Sequence, residues 1–191
     1  MPTYLKLDLG SGDRKKTGFS TVDWTAETKP DFVCDLNVFP YPWADGSIDE
    51  IEMSHCLEHL EKPFKVMTEL HRIMAPGGAL HIKVPHFSRG FTHAEHEHGF
   101  DVTFPLYFNK NFTKSGYFGV DFKLESMRLK WFAFPYLLPY MGYGRITIAL
   151  LSGINAVISF FANLSPALAS RIWCFWVGGF DEIEFQFTCI K

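Results

Sequence analysis

The chain has 191 residues, enough for a single domain (residues 1–191) with a sizeable core. Its formal net charge of −3 offers no electrostatic attraction to nucleic acid, so we expect no nucleic-acid partner. The four cysteines form no CxxC pair and no signal peptide precedes the first predicted strand, so we expect buried thiols in a cytoplasmic protein.

The first motif is a strand that runs into glycines, LKLDLGSG, from Leu5 to Gly12. Apolar and polar residues alternate along it, which is the period of a strand. Gly10 and Gly12 permit a sharp turn and let a ligand lie against bare amides. Asp23 ends the next predicted strand, FSTVD, where a carboxylate can accept hydrogen bonds from two ribose hydroxyls. The pattern predicts a nucleotide site.

The connection between these two strands is unusually short. A standard βαβ nucleotide unit places its acid about 20 residues beyond the glycines. Here Asp23 follows Gly12 by eleven residues. We therefore predict that segment 12–18 contains no helix longer than two turns, so that the first helix of the fold is reduced.

Three further strands and one helix follow in the first half of the chain. We predict strands at 31–34, 47–53 and 79–84. A helix is predicted over 63–74, because a proline fits its first turn and Pro-Gly-Gly at 76–78 stops it. Strands that alternate with crossover segments predict an α/β, Rossmann-like, doubly wound and mostly parallel sheet.

Taken together, these motifs resemble those of the class I S-adenosylmethionine-dependent methyltransferases. In order they read LDLGSG, GFSTVD, DFVCDL, FPYPWADGSIDEIEMSHCLEHL and ELHRIMAPGGALHIKVP, from Tyr4 to Pro85. The match is with a compact subgroup that starts at the first strand and has a short basic loop before the ribose acid. The resemblance implies that the cofactor is S-adenosylmethionine. By analogy with glycan-modifying members of the subgroup, it suggests a small, glycan or lipid-linked acceptor.

The resemblance also implies which residues contact the cofactor. The glycine motif would hold its methionine end, the second motif its ribose and adenine, the third the adenine edge, and the end of the fourth strand its methionyl part. In that order the residues are Asp8, Gly10, Ser11 and Gly12; Asp23 and Trp24; Asp35 and Leu36; Ser54 and His55. The alternative is structural: Asp8 caps a turn, Trp24 belongs to the core, and His59 of CLEHL is a satisfied structural histidine.

Histidines follow the fifth predicted strand, at the edge where open α/β sheets bind ligands. One of His86, His96 and His98 is our candidate for acceptor binding or general base catalysis, which histidine suits at neutral pH. A rival interpretation is a metal-dependent enzyme built on His93, His96 and His98. Their spacing matches no recognised zinc pattern, so we predict no metal.

The second half of the chain is predicted to hold a helix over 103–114 and two long strands, 120–132 and 180–190. The resemblance implies that these strands are the antiparallel end of the sheet. Residues 133–179 form an insertion before the last strand. We expect it to be helical and to sit over the carboxyl edge of the sheet, near segment 86–98.

The insertion contains the most distinctive stretch, 146–170, which carries no charged side chain. Its length permits a membrane span, but a span would separate two strands of one sheet across the bilayer. Polar residues recur at helical spacing and form one stripe: Ser152, Asn155, Ser159 and Asn163. The remaining choices are a lid over the acceptor, a surface in peripheral contact with a membrane, and a homodimer interface.

The chemistry implied is in-line transfer of a methyl group from a sulfonium, which the cofactor supplies, to an acceptor, with oxygen the expected atom. The protein's part is then mainly alignment. A different class of function also fits these motifs: a noncatalytic, cofactor-binding subunit of a membrane-associated complex.

Overall fold

The computed structural model describes residues 5–90, 93–114 and 116–191. Seven strands form one sheet. In chain order they are β1 (Lys6–Leu9), β2 (Ser20–Asp23), β3 (Phe32–Val33), β4 (Ile48–Ser54), β5 (Met74–Pro85), β6 (Asp121–Lys130) and β7 (Glu182–Ile190). Across the sheet the order is β3-β2-β1-β4-β5-β7-β6. The first five strands are parallel, and β7 runs antiparallel to both β5 and β6. This confirms the predicted α/β fold with its antiparallel end.

Four helices and five 3-10 turns complete the described chain. The helices are α1 (Pro63–Ile73), α2 (Phe87–Gly90), α3 (Arg145–Leu164) and α4 (Pro166–Arg171). The 3-10 turns are Ala26–Thr28, Leu57–His59, Phe104–Phe108, Pro135–Leu137 and Trp173–Phe175. The connection from β1 to β2 has no helix, which confirms the reduced first crossover.

Helix α1 forms as its sequence predicts. Pro63 occupies its first turn, where a missing N–H costs nothing. Val66, Met67 and Leu70 lie at helical spacing and are fully buried, so this face of α1 packs on the sheet.

The helix predicted over 103–114 was wrong. Only Phe104–Phe108 is helical, as a 3-10 turn. Side chains compete with helix formation on both sides of it. Thr103 bonds back to Asp101 through both its N–H and its hydroxyl, and the Lys110 N–H donates to Asp121 Oδ1 at 2.9 Å.

Strand β5 begins five residues earlier than predicted, at Met74 instead of 79. Ile48 pairs with Met74 and Glu50 with Ala79, so the ladder skips the Pro-Gly-Gly segment as an irregularity within the strand. The sequence signal for a helix stop was correct, but the chain re-enters the sheet at once.

Insertion 133–179 contains helices, and Phe134, Tyr136 and Leu137 near its start lie at the carboxyl edge of the sheet, beside His93 and His96. Helix α3 lies to the side of the sheet. It packs along the outer edge of β6, the last strand of the sheet. Asn163 meets Leu129 and Asn155 meets Phe132, so α3 runs antiparallel to β6. At 1.5 Å per residue, its N-terminal half continues about 15 Å past the end of the strand.

Candidate active site

A cavity of about 840 Å³ lies at the carboxyl edge, where the ends of β1, β4 and β5 meet. Open α/β sheets bind their ligands at this edge. Six of the predicted cofactor residues line it: Asp8, Gly10, Ser11, Gly12, Ser54 and His55.

Two glycines shape the floor of this cavity. Gly10 has φ 69°, and a Cβ there would lie 2.5 Å from Cys56 Sγ, so no other residue fits without displacing Cys56. Gly12 has φ 57° and open space around the position of a Cβ. The N–H groups of Gly10 and Ser11 donate to the Val22 carbonyl at 2.9 and 3.1 Å, which fixes the loop on β2.

Asp23 stands at the end of β2, as predicted, and is 6% exposed. Its Oδ2 accepts the Gly12 N–H at 2.8 Å and its Oδ1 the Thr25 N–H at 3.3 Å. These bonds aim the carboxylate at the glycine loop and leave each oxygen a further lone pair.

The residues predicted around adenine lie outside the cavity. Trp24 is 76% exposed. Asp35 Oδ1 accepts the Asn37 N–H, and Leu36 is a core residue whose carbonyl accepts the Tyr41 hydroxyl. Trp24 and Asp35 are exposed, and the described connection from β1 to β2 contains no helix to cover them, so the adenosine half of the predicted site is an open surface.

The cavity residues fit the methionine end of S-adenosylmethionine. Ser11 Oγ is buried and has no hydrogen-bond partner among the described residues, so it is available to a ligand. Burial raises the pKa of the Asp8 carboxyl, while Lys16 and Lys83 oppose that rise. The Asp8 and Ser11 side chains, together with Lys16 and Lys83 in the same lining, suit a ligand that carries both an ammonium and a carboxylate.

His55 follows β4 in a left-handed conformation with φ 53°. Its Nε2 lies 2.7 Å from Glu182 Oε2 and its Nδ1 3.3 Å from Glu58 Oε1. Burial lowers the pKa of His55, but the hydrogen bonds to the two glutamates outweigh it and raise the value to about 9. His55 is therefore an imidazolium at neutral pH, and it is not available as a general base.

Three more histidines line the same cavity: His59, His93 and His96. The ring of His96 lies 4.9 Å from that of His59 and 4.9 Å from that of His93, measured between centroids. Glu58, beside them, is fully buried. The three histidines and Glu58 therefore bring four ionisable side chains together at one wall of the cavity.

Comparison with known proteins agrees with this geometry. Residues 16–82 match a family model described as a methyltransferase domain, a segment that spans β2, β3, β4, α1 and most of β5. This segment is similar to the class I S-adenosylmethionine-dependent methyltransferases. The match covers the acid of β2, the end of β4 and the LEHL turn, and S-adenosylmethionine is the cofactor of the family.

Several solved structures share the fold of this chain. A phosphoethanolamine N-methyltransferase 2 of Haemonchus contortus is 16% identical over 100% of this chain and 50% of its own, with a TM-score of 0.54. A methyltransferase of Mesorhizobium loti is 12% identical over 97% and 91%, also at 0.54. The [4+2]-cyclase SpnF is 14% identical over 98% and 75%, at 0.52, so this fold alone does not set the reaction. No protein of curated function matches the sequence.

The structure separates the three histidines predicted to act in catalysis. His96 lines the cavity at the carboxyl edge of the sheet. His86 is fully buried, with its ring nitrogens 2.7 Å from Ser88 Oγ and 2.8 Å from Ser170 Oγ, and burial lowers its pKa to about 4. His98 lines a different cavity of about 700 Å³, among aromatic residues.

Several residues of the site were missed by the sequence reasoning. From the first half, Lys83 and Arg89 line the cavity, and Arg89 Nη1 holds Asp181 Oδ1 at 2.7 Å. The insertion contributes Phe134, Tyr136 and Leu137, which no local motif marks. Glu58 and His59 did carry a signal, because they directly follow the end of β4, where parallel strands present their ligands.

Proposed function

We propose that this methyltransferase moves a methyl group to a hydroxyl oxygen of a lipid- or glycan-type acceptor while it rests on a membrane surface. The observation that carries the proposal is the orientation of α3. Of its residues only Ala162 is buried, and one side of the helix presents apolar side chains to solvent: Ile146, Leu150, Ile154, Val157, Phe161 and Leu164, between 47% and 80% exposed.

The polar side of α3 faces the protein and is already hydrogen-bonded. Asn155, Ser159 and Asn163 bond to backbone groups of β6 and the residues just after it. Beyond Arg145, what remains outward is uncharged and mostly apolar, with Thr147 and Ser152 as exposed polar residues. Such a face is unfavourable in water at roughly 25 cal/mol per Å², so it favours an apolar partner.

A membrane interface suits this face better than a bilayer span. Helix α3 is the one described helix long and apolar enough to cross a membrane. A span would pull its asparagines from β6 into lipid, where each unpaired group costs several kcal/mol. Arg145 begins the helix and Arg171 follows α4, and exposed aromatics stand beside both: Tyr140, Tyr143, Phe175 and Trp176. Cations and aromatic rings of this kind favour the headgroup region.

The insertion also connects the membrane-facing surface with the chemistry. Its Phe134, Tyr136 and Leu137 line the cofactor cavity, and the Phe134 ring lies 5.1 Å from that of His55. An acceptor anchored in the bilayer would reach the cavity past these side chains. This placement supports a lipid-linked acceptor over a freely soluble one.

The acceptor hydroxyl would lie at the cluster of His59, His93 and His96. When bound, S-adenosylmethionine supplies a methyl group whose bond to sulfur breaks as the acceptor oxygen bonds to it, leaving S-adenosylhomocysteine. The hydroxyl proton must leave as well, and the cluster is where the chain offers a group to take it. The chain's other contribution is alignment, which effective-molarity arguments place at roughly 7–11 kcal/mol.

The test is transfer of labelled methyl from S-adenosylmethionine to total extracts, separated into lipid, glycan and aqueous fractions. We expect label in the lipid fraction. Asp23→Ala should weaken cofactor binding ~10–100-fold, because a hydrogen bond to a charged group contributes about 1.5–3 kcal/mol. Calorimetry measures that loss, and Glu125→Ala, which removes an exposed carboxylate on β6 outside the cavity, is the control.

Two outcomes would overturn the proposal. Label confined to the aqueous fraction would exclude a lipid-type acceptor. Tight cofactor binding with no transfer to any fraction would instead favour a noncatalytic cofactor-binding subunit.

A further inference from the structure

We infer that Glu58, His59 and His96 form a binding site for a divalent transition-metal ion on the wall of the cofactor cavity. The sequence pointed away from a metal, and its rival interpretation relied on His93, His96 and His98. The fold changes the set: it takes His98 to the other cavity and brings Glu58 and His59 to His96.

The three side chains converge closely enough to share an ion. One ligand atom from each lies within 4.8 Å of the others, and His96 Nε2 is 3.9 Å from Glu58 Oε1. Bonds of about 2.0–2.2 Å in a tetrahedral site put ligand atoms roughly 3.4 Å apart. Ion binding would therefore draw ligand atoms that are up to 4.8 Å apart together by up to about 1.4 Å.

Glu58 provides the strongest evidence for a bound cation. Its side chain is fully buried, and its Oε2 has no hydrogen-bond partner among the described residues. A buried carboxylate oxygen left without a partner costs free energy, about 1–3 kcal/mol or more for a charged group. Its Oε1 already lies 3.3 Å from Nδ1 of the His55 imidazolium, so a bound metal ion would add to that pairing and relieve the cost at Oε2.

Backbone hydrogen bonds fix the positions of the two histidines before a metal ion binds. Segment 57–59 is a 3-10 turn directly after β4, and the Glu97 N–H donates to the Glu58 carbonyl at 3.0 Å, which clamps segment 93–98 onto this turn. His59 Nδ1 lies 3.0 Å from the Glu95 carbonyl, so it carries the proton and leaves Nε2 as the ligand. Metal-binding histidines are oriented by just this kind of bond through their second nitrogen.

Two imidazoles and one carboxylate are a donor set that suits Zn²⁺ and related first-row ions. Three protein ligands leave a coordination position open, and the cluster lines the cavity, so the open position can receive an oxygen ligand. An ion there would polarise the acceptor hydroxyl and favour loss of its proton. This role rests on the proposed function, but metal binding itself does not.

The experiment uses the full-length protein without a histidine tag, stripped by a chelator and dialysed. Co²⁺ is titrated and followed by its visible absorption, with Zn²⁺ as competitor and calorimetry for stoichiometry. We expect saturable binding of one ion per chain. His59→Ala and His96→Ala, on separate segments, should each weaken Co²⁺ binding by at least about 10-fold, the loss that even an outer-shell partner causes.

His98→Ala is the matched control, because it alters the same segment at a ring that faces the other cavity. It should leave the Co²⁺ affinity unchanged. Absence of saturable binding in the wild type, or an equal loss in His98→Ala, would overturn the inference. Thermal unfolding, measured on the same samples, shows that each variant is folded. Intact metal binding without methyl transfer would count against the proposed function alone.

Discussion

Helices α1 and α3 are oriented in opposite ways on the same sheet. Helix α1 buries its apolar side, including Met67 and Leu70, and leaves polar residues in solvent. Helix α3 turns its polar side to the protein and leaves Leu150 and Val157 exposed. The difference follows from what each helix meets, because α1 covers the face of the sheet and α3 covers its edge.

The edge strand explains why a polar side is needed inside. The outer backbone groups of an edge strand have no ladder partner and must bond elsewhere. Asn163 accepts the Leu129 N–H and donates to the Leu129 carbonyl, both at 2.8 Å. Asn155 makes the same pair of bonds to Phe132, both at 3.1 Å. An asparagine side chain thus replaces the missing strand, and the apolar residues of α3 point outward as a consequence.

The largest expected effect comes from the α1 side of this comparison. Leu70→Ala should lower the free energy of unfolding by about 2–5 kcal/mol, because it leaves a cavity under a fully buried side chain. Chemical denaturation measures the change. A loss below about 1 kcal/mol would mean that α1 is not packed as described.

A second effect depends on pH. It arises where the insertion meets the sheet, because His86, directly after β5, bonds to Ser170 in α4. Its folded pKa of about 4 lies below the ordinary value of 6.5, so the unfolded chain takes up a proton first as pH falls. Stability is full above pH 6.5 and is lost towards pH 4, by about 1.4 kcal/mol per unit and roughly 3 kcal/mol in all. Nearby Asp101 opposes the shift, and the pKa of about 4 already includes its effect.

Denaturation at pH 7 and at pH 4.5 measures this loss. His86→Asn removes the titrating group, so its stability should fall less between these two pH values than that of the wild type. An identical pH dependence in both proteins would contradict the assignment.

A smaller effect is expected on the α3 side. Asn163→Leu should destabilise by about 1–3 kcal/mol, because it leaves the N–H and carbonyl of Leu129 unpaired while adding apolar surface. Ser152→Leu, on the same stripe but exposed, is the control and should change stability little. Equal effects of the two substitutions would break the comparison. Thermal unfolding gives the ranking.

The smallest effect should come from the exposed face of α3. Leu150→Ala removes the same atoms as Leu70→Ala from a side chain that is 64% exposed. Its effect should stay within about 0.5 kcal/mol. A loss close to that of Leu70→Ala would show that this face is buried in solution, as in a dimer.

Much of the fold could be predicted from local signals in the sequence. The strand and glycines of LKLDLGSG, the acid at Asp23 and the short crossover all depend on neighbouring residues, and the fold they predict is the one observed. The polar stripe of α3 was also visible. The strand to which this stripe bonds could not be predicted, because nothing in the stripe indicates that β6 lies at the edge of the sheet.

The site was harder to predict for the same reason. Histidine spacing in 93–98 does not reveal which ring turns towards the cofactor, and the structure sends His96 and His98 to different cavities. Likewise Phe134 reaches the cavity only because α3 is anchored on β6. These placements depend on contacts between segments far apart in sequence.

The central claim, that the exposed face of α3 rests on a membrane, is tested most directly by flotation with vesicles of phosphatidylcholine and anionic phosphatidylglycerol. We expect the wild type to float and the triple variant Leu150→Gln, Val157→Gln, Phe161→Gln to remain in the aqueous layer while it still binds S-adenosylmethionine. Val38→Gln, which alters an exposed apolar residue outside the insertion, should float like the wild type. A wild type that does not float and sediments as a dimer, with the triple variant monomeric, would contradict the claim and assign this face to a second copy of the chain.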